Sequence, residues 1–168
     1  MANPRKPFRL NVGFIIHEQV GYVHEFPFDF DKVKLGEDLE LDQFSGSAHI
    51  GRTPQGLLVQ GRFLCQIWLE CVRCLNTFTR PLTWELTELF AFNKKSVSES
   101  DLLLPEDAHI DLQPLLREYA LLEIPLSPIC KPDCMGLCPV CGQDLNIFNC
   151  GHRPLADESP FSVLKKLR

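Results

Sequence analysis

The sequence lacks several features that would place it in large functional classes. It contains no apolar run approaching the roughly 20 residues that a membrane-spanning helix needs, so we expect no membrane partner. Its first residues, MANPRKPF, lack the apolar stretch of a signal peptide, which favours a cytoplasmic protein. A net charge of −5 argues against a large non-specific nucleic-acid surface, because such binding depends on phosphate neutralisation.

Catalytic motifs are missing as well. The chain has no glycine-rich phosphate loop, no dinucleotide fingerprint, no Gly-x-Ser-x-Gly elbow and no His-Glu-x-x-His motif. The acids near the cysteines lack the His-x-Glu context of a zinc deaminase. No Cys-x-x-Cys pair begins a helix within a βαβ pattern, as thioredoxin-like redox chemistry requires. We therefore expect a non-enzymatic protein, with no catalytic residues and no small-molecule substrate.

What the sequence does contain is eight cysteines. In a secreted chain they would suggest disulfides, but in a reducing cytosol the same spacing indicates metal binding. Cys65 lies on the apolar face of a predicted strand, and we interpret it as a small buried hydrophobe. The remaining candidates for metal ligation are Cys71, Cys74, Cys130, Cys134, Cys138, Cys141, Cys150 and His152.

The closely spaced run from Cys130 to Cys141 is the strongest indication of Zn²⁺. Thiolates suit tetrahedral zinc, and sites made only of thiolates are closed and structural. Cys138-Pro-Val-Cys141-Gly has the form of a zinc knuckle, in which the glycine permits a positive φ. The simplest assignment is a single site made of Cys130, Cys134, Cys138 and Cys141.

Other groupings of the ligands remain open. Cys71 and Cys74 form a second knuckle, and a ribbon that joins them to the Cys138–Cys141 knuckle is a serious competitor. Cys150 and His152 could complete a site with either knuckle. There are enough ligands for two four-coordinate sites, so the sequence leaves the number of zinc ions undecided.

Apolar and polar residues alternate through most of the first ninety positions, which predicts strands. One predicted face carries Phe8, Leu10, Val12 and Phe14; a second segment contains Pro27 and is therefore an edge or irregular strand. We expect a turn within residues 45–56. The runs 57–70 and 77–92 predict two long antiparallel strands whose hairpin tip carries Cys71 and Cys74.

The predicted fold class is α+β and rich in β-structure, with an antiparallel sheet, a long hairpin, one main helix and a C-terminal zinc-knuckle segment. Asp111 is expected to cap the helix, whose apolar positions are Leu112, Leu115, Leu116, Tyr119 and Leu122. The expected segments are a β-rich domain at 1–92, a mobile loop at 93–109, a helix at 110–124, a cysteine-rich segment at 125–153 and a basic, apolar tail at 154–168.

The amino-acid sequence around the cysteines resembles that of a known family. The stretch LECVRCLNTF resembles the Leu-Glu-Cys-x-Arg-Cys signature of the YceD family, the large ribosomal RNA subunit accumulation proteins. Three further stretches support the resemblance in the same order: IDLQPLLREYALLEIPL, CKPDCMGLCPVCG and SPFSVLKKL. The resemblance implies a non-enzymatic role in large-subunit biogenesis and 23S rRNA accumulation, with no catalytic residue to carry over.

This resemblance leads to two functional hypotheses. The first is an assembly factor that binds pre-ribosomal RNA or a large-subunit ribosomal protein. The second is a zinc-containing, protein-binding adaptor without RNA contact, which the acidic net charge favours. Candidate contact residues lie at the two ends of the chain: Arg5, Lys6, Arg9, Phe161, Lys165, Lys166 and Arg168.

Overall fold

The computed structural model describes residues 6–96 and 101–152. The chain divides into two compact units, one made of Met1–Trp68 and Thr79–Pro125 and the other of Leu69–Phe78 and Leu126–Arg168. The elements in chain order are β1 (Arg9–Asn11), α1 (Gly13–Ile16), β2 (Val23–Lys34), β3 (Glu40–Arg52), β4 (Gly56–Glu70), β5 (Thr77–Ala91), a 3-10 turn (Lys94–Ser96), β6 (His109–Asp111) and α2 (Gln113–Glu123).

The strands form two sheets. Strands β2, β3, β4 and β5 make a four-stranded sheet in that order, and β1 pairs with β6 in a second, two-stranded sheet. The pairs β1–β6, β2–β3 and β3–β4 are antiparallel. The predicted fold class, β-rich and antiparallel with one main helix, is confirmed. No helix among the described residues is both long and apolar enough to cross a bilayer.

The core of the first unit is built around aromatic rings. Phe8, Phe44 and Phe63 are each at most 1 % exposed, and Trp84 is 3 % exposed. The ring centroids of Phe44 lie 5.5 Å from Phe8 and 5.6 Å from Phe63, within the range of favourable aromatic pairs. This packing explains why β-branched and aromatic residues alternate with polar ones along β3, β4 and β5.

Strand β2 lies at one edge of the four-stranded sheet, as its proline predicts. Pro27 faces Ser47 of β3 in the register of the pair. The hairpin predicted for 57–70 and 77–92 corresponds to β4 and β5. The expected cap is wrong: the N-cap of α2 is Leu112, and Asp111 precedes it, with its Oδ1 accepting the N–H of Gln113 at 3.0 Å.

The turn expected within 45–56 is confirmed in the short link after Arg52, where β3 ends before β4 begins at Gly56. Two further local expectations were wrong. Phe14 does not continue a strand but lies in α1 and is 45 % exposed, because β1 ends at Asn11. Leu122 is 80 % exposed, so the buried face of α2 ends at Ala120.

Candidate metal centre

The first candidate cluster begins at the tip of the β4–β5 hairpin, which belongs to the second unit. The N–H of Cys71 donates to the carbonyl of Asn76 at 3.0 Å, and the N–H of Leu75 donates back to Cys71 at 2.9 Å. Leu75 adopts a φ of 61°, which tightens the turn. The result is a compact loop that holds Cys71 and Cys74 within one turn of the backbone.

A segment much later in the chain supplies the other half of this cluster. The N–H of Val72 donates to the carbonyl of Pro128 at 2.9 Å, which attaches the segment to the hairpin tip. The N–H of Cys134 donates to the carbonyl of Lys131 at 3.1 Å and closes a turn that ends at Cys134 and directly follows Cys130. These backbone bonds bring four sulfurs together, and we call Cys71, Cys74, Cys130 and Cys134 the hairpin cluster.

The sulfur separations in the hairpin cluster suit zinc. Sγ of Cys71 lies 3.8 Å from Sγ of Cys134, and Sγ of Cys74 lies 3.7 Å from Sγ of Cys130. Four sulfurs held about 2.3 Å from a tetrahedral zinc ion would be separated by roughly 3.8 Å. Bonded sulfurs would be about 2.05 Å apart, so these separations fit a metal ion and not a pair of disulfides.

The backbone around the sulfurs favours the thiolate that a metal requires. Burial by itself raises the pKa of Cys71, but hydrogen bonds from the backbone of Cys130, Cys74 and Arg73 outweigh it and lower the pKa to about 6. Burial and the neighbouring thiols raise the pKa of Cys130 to about 12. Four thiolates cannot share so small a volume unless a cation compensates their charge, which is what Zn²⁺ would supply.

Polar side chains support the hairpin cluster from outside. Nδ2 of Asn146 donates to Sγ of Cys134 at 3.5 Å and to Oδ1 of Asp144 at 2.7 Å. The other oxygen of Asp144 accepts a bond of 2.9 Å from Asn76 at the hairpin tip. Arg73 donates to the carbonyl of Cys134 at 3.0 Å. Partners of this kind orient metal ligands.

The remaining ligands form a second group, the C-terminal cluster, made of Cys138, Cys141, Cys150 and His152. Gly142 follows the knuckle with a φ of 72°, as its position predicts, and donates to the carbonyl of Cys138 at 2.9 Å. Hydrogen bonds from the backbone of Cys141 and Val140 lower the pKa of Cys138 to about 6. Three thiolates and one imidazole are a common structural zinc set.

The two clusters differ in exposure. Three of the four sulfur-bearing residues of the hairpin cluster are buried, and Cys130 is half-buried. In the C-terminal cluster only Cys138 is buried, while Cys141 and His152 are exposed. In each cluster every ligand atom lies within 4.8 Å of every other. Both sets therefore fit one tetrahedral ion each, and the hairpin cluster is the more enclosed site.

The structure contains neither the single site nor the joined ribbon expected from the sequence, but it does place Cys150 and His152 with the Cys138–Cys141 knuckle, an alternative that the sequence left open. The run from Cys130 to Cys141 is split between two clusters, because Leu137 binds the carbonyl of Arg73 and separates the two halves of the run. The Cys71–Cys74 knuckle pairs with Cys130 and Cys134 and not with the Cys138–Cys141 knuckle. Cys65 is 3 % exposed and belongs to neither cluster.

Sequence reasoning missed the supporting residues. Arg73 and Asn76 lie inside the LECVRCLN stretch, so that motif pointed to them although they bear no thiol. Asn146 had no comparable signal, because its role depends on contacts made far along the chain. Of the predicted contact residues, Lys6 is exposed and Arg9 forms an ion pair with Asp107. Outside the described residues lie Arg5, Phe161, Lys165, Lys166 and Arg168.

Comparison with known proteins identifies the family of the chain that carries these two cysteine clusters. A family model described as large ribosomal RNA subunit accumulation protein YceD matches residues 59–168, which include both clusters. The chain belongs to this family. Membership in the YceD family confirms the resemblance seen in the sequence.

Relatives of this YceD-family chain extend across distant organisms. An uncharacterized protein of Mycobacterium tuberculosis is 32 % identical over 144 residues, which cover 83 % of this chain and 67 % of the relative. The uncharacterized protein YlbN of Bacillus subtilis is 28 % identical over 61 % of this chain and 60 % of its own length. The chloroplastic large ribosomal RNA subunit accumulation protein YCED homolog 1 of Zea mays is 45 % identical over 24 % of this chain and 14 % of its own length. No solved structure matches the chain significantly.

Proposed function

We propose that this chain is a non-enzymatic factor that supports accumulation of the 23S rRNA of the large ribosomal subunit. It would act in the cytoplasm by binding pre-ribosomal RNA or a large-subunit ribosomal protein. The description of the family and the name of the Zea mays relative support the role in rRNA accumulation.

The hairpin cluster is the observation that supports a binding role and not a catalytic one. Its four sulfur ligands would fill the coordination sphere of zinc and leave no position for water or substrate. Zinc bound there would cross-link the hairpin tip to the segment around Cys130 and Cys134, and so hold the surface of the second unit in one shape. A fixed surface is what an assembly factor needs for recognition.

Deletion of the gene, followed by complementation, tests this role. We expect the deletion strain to contain less 23S rRNA relative to 16S rRNA, and the wild-type gene to restore the ratio. Cys71→Ser should restore it incompletely, because it removes a ligand of the hairpin cluster. Cys65→Ala is the matched control, a buried cysteine outside both clusters. A normal ratio in the deletion strain would contradict the proposed role.

The adaptor without RNA contact is the second candidate, and exposed apolar side chains of the second unit favour it. Met135, Ile147 and Phe148 are 61 %, 80 % and 64 % exposed. The N–H of Met135 binds the side chain of Asn146, which brings these residues close together. A cluster of exposed apolar side chains on a small unit is typical of a protein contact.

Salt dependence separates the two candidates. If the chain binds RNA through basic residues, capture of rRNA by the purified protein should weaken steeply as salt rises. Capture of a large-subunit protein through apolar contacts should change little over the same range. Retention of a ribosomal protein at high salt, with no RNA retained at low salt, would favour the adaptor.

A further inference from the structure

A groove in the first unit is lined by β1, α1 and the face of β2 that carries His24, Phe26, Phe28 and Phe30. Its volume is about 480 Å³, within the range of about 300–1,000 Å³ typical of ligand sites. Aromatic side chains dominate its wall: Phe14, His24, Phe26, Phe28 and Phe30. The groove is distant in sequence from both metal clusters and takes no part in them.

Three rings of this groove pack against one another and remain partly exposed. The imidazole of His24 makes edge-to-face contacts with two phenyl rings, 4.9 Å from the centroid of Phe14 and 4.8 Å from that of Phe26. Phe14 is 45 % exposed, and His24 and Phe26 are half-buried. A planar group can therefore stack on the outer surface of these rings.

The polar groups of the groove are complementary to a phosphate chain. Arg9 and Asn11 lie on its wall, and among the described residues that line it none is acidic. Arg9 pairs with Asp107, but a guanidinium has five N–H donors and can bind a second acceptor. Lys6 is exposed close by in the sequence.

The edge of β2 is a poor site for an added peptide strand. Pro27 lies near the middle of β2 and lacks an N–H group. Proline on an edge strand is one of the ways in which sheets resist pairing with another strand. The groove thus offers ring faces and cationic donors more readily than a backbone ladder.

We propose that this groove binds unpaired nucleotides of RNA, with bases against Phe14, His24 and Phe26 and phosphates near Arg9. Stacking on aromatic side chains with cationic groups beside them is how proteins hold single-stranded RNA with little sequence preference. The inference rests on the proposed function, since it names the RNA contact of an rRNA accumulation factor.

Fluorescence anisotropy with a labelled, single-stranded, uridine-rich RNA oligonucleotide tests the groove. The wild type should bind the single strand more tightly than the same strand annealed to its complement. Phe14→Ala and Phe26→Ala should each weaken binding roughly 5-fold to 100-fold, the usual effect of losing one stacking partner. Arg9→Gln should reduce the slope of log affinity against log salt by about one.

Trp68→Ala provides the matched control, because Trp68 is an exposed aromatic residue of the same unit that does not line the groove. We expect it to bind the oligonucleotide within about twofold of the wild type. If Phe14→Ala and Phe26→Ala bind like the wild type while the wild type does bind RNA, the groove is not the site, although an RNA-binding role stands. If the wild type binds no RNA near physiological salt, the RNA-binding part of the proposed function also fails.

If a variant fails to fold, crosslinking of the wild-type protein tests whether RNA binds in the groove. The wild-type protein is irradiated with an oligonucleotide that contains 4-thiouridine, and the crosslinked peptides are identified by mass spectrometry. Crosslinks within residues 6–30 support the groove. Crosslinks confined to the second unit overturn it. Loss of a captured large-subunit protein in Phe14→Ala, with RNA binding intact, would also overturn it and assign the groove to a protein partner.

Discussion

Cys65 and Cys71 lie six residues apart at the end of β4, yet their surroundings favour opposite states of the thiol. Burial, with a smaller effect from Asp42, raises the pKa of Cys65 to about 11. Backbone hydrogen bonds lower the pKa of Cys71 to about 6 in spite of its burial. Because only the thiolate binds zinc, the two residues should differ sharply when each is replaced.

We expect Cys71→Ser to lower the zinc content from about two ions per chain to about one, because the hairpin cluster loses a ligand. Cys65→Ala should leave the content unchanged. Inductively coupled plasma mass spectrometry of dialysed protein measures both. A Cys71→Ser protein that keeps both ions with unchanged affinity would exclude Cys71 as a ligand.

The ion pair between Asp38 and Arg117 should make the stability of the fold depend on pH. Arg117 donates to both oxygens of Asp38, at 2.7 and 3.0 Å, and these hydrogen bonds hold the pKa of Asp38 below its usual value of 3.8. A carboxylate with a lowered folded-state pKa adds stability above its unfolded-state pKa. That stability is lost as the pH falls through the folded-state pKa.

We therefore expect Asp38→Asn to lower the midpoint of urea unfolding slightly at neutral pH, because the pair is exposed. The difference from the wild type should shrink in strong acid, where Asp38 is protonated in both states. Asp31→Asn is a suitable control, since Asp31 is exposed on β2 and makes no ion pair among the described residues. An unchanged difference at all pH values would contradict the assignment.

At the residue scale, the sequence could identify ligands by type but not by contact. The thiols and the positive φ of Gly142 were predictable, because knuckle spacing and glycine geometry are local properties. Asn146 was not predictable: its bond to Cys134 depends on how Asp144 is held by Asn76, far away in the sequence. Local rules do not contain such contacts.

At the scale of the elements, Gly56 at the start of β4 is packed closely against the backbone of β5. A Cβ at this position would overlap the carbonyl oxygen of Phe90 and lie 2.8 Å from Cα of Ala91. Both are backbone atoms of β5, which cannot move without breaking the sheet. Gly51 on β3 is different, because its nearest neighbour would be 3.6 Å away, an ordinary contact.

Gly56→Ala should destabilise the protein by about 1–3 kcal/mol, the usual effect of overpacking. Gly51→Ala, the matched control in the same hairpin, should change the free energy of unfolding by no more than about 0.5 kcal/mol. Chemical unfolding followed by circular dichroism gives both values. Equal effects of the two substitutions would mean that Gly56 is not held by β5.

Elements with regular periodicity were predictable and their ends were not. The alternation through β4 and β5 located the long hairpin almost to the residue, since both strands bury one face. The same alternation failed at Phe14, where the chain leaves β1 for α1. It also failed at Leu122, since an apolar residue at helical spacing is buried only if something covers it.

At the scale of the whole molecule, the spacing of the cysteines in the sequence could not predict which of them share a cluster. The Cys130–Cys141 run is compact in sequence, which favoured one site within it. In the structure, Val72 and Pro128 join segments more than fifty residues apart, and that contact assigns Cys130 and Cys134 to the hairpin tip. Pairing of this kind follows from the long-range topology, which local spacing does not encode.

The two units differ in what fills their interiors, and this difference predicts how each depends on metal. The first unit buries large aromatic and aliphatic side chains such as Phe44 and Phe63. In the described part of the second unit, the buried apolar side chains are those of four cysteines: Cys71, Cys74, Cys134 and Cys138. We therefore expect a unit of this size, with a core of thiols, to need metal to fold.

Chelation should therefore unfold the second unit and leave the first one folded. Trp68→Phe makes Trp84 the sole tryptophan, and this residue lies in the core of the first unit. After treatment with a chelator we expect rapid tryptic cleavage after Arg73, in the hairpin tip of the second unit, with no change in Trp84 emission. We expect added Zn²⁺, but not Mg²⁺, to restore protection. Resistance at Arg73 after complete removal of metal would show that the thiol core holds without it. A simultaneous change in Trp84 emission would show that the two units unfold together.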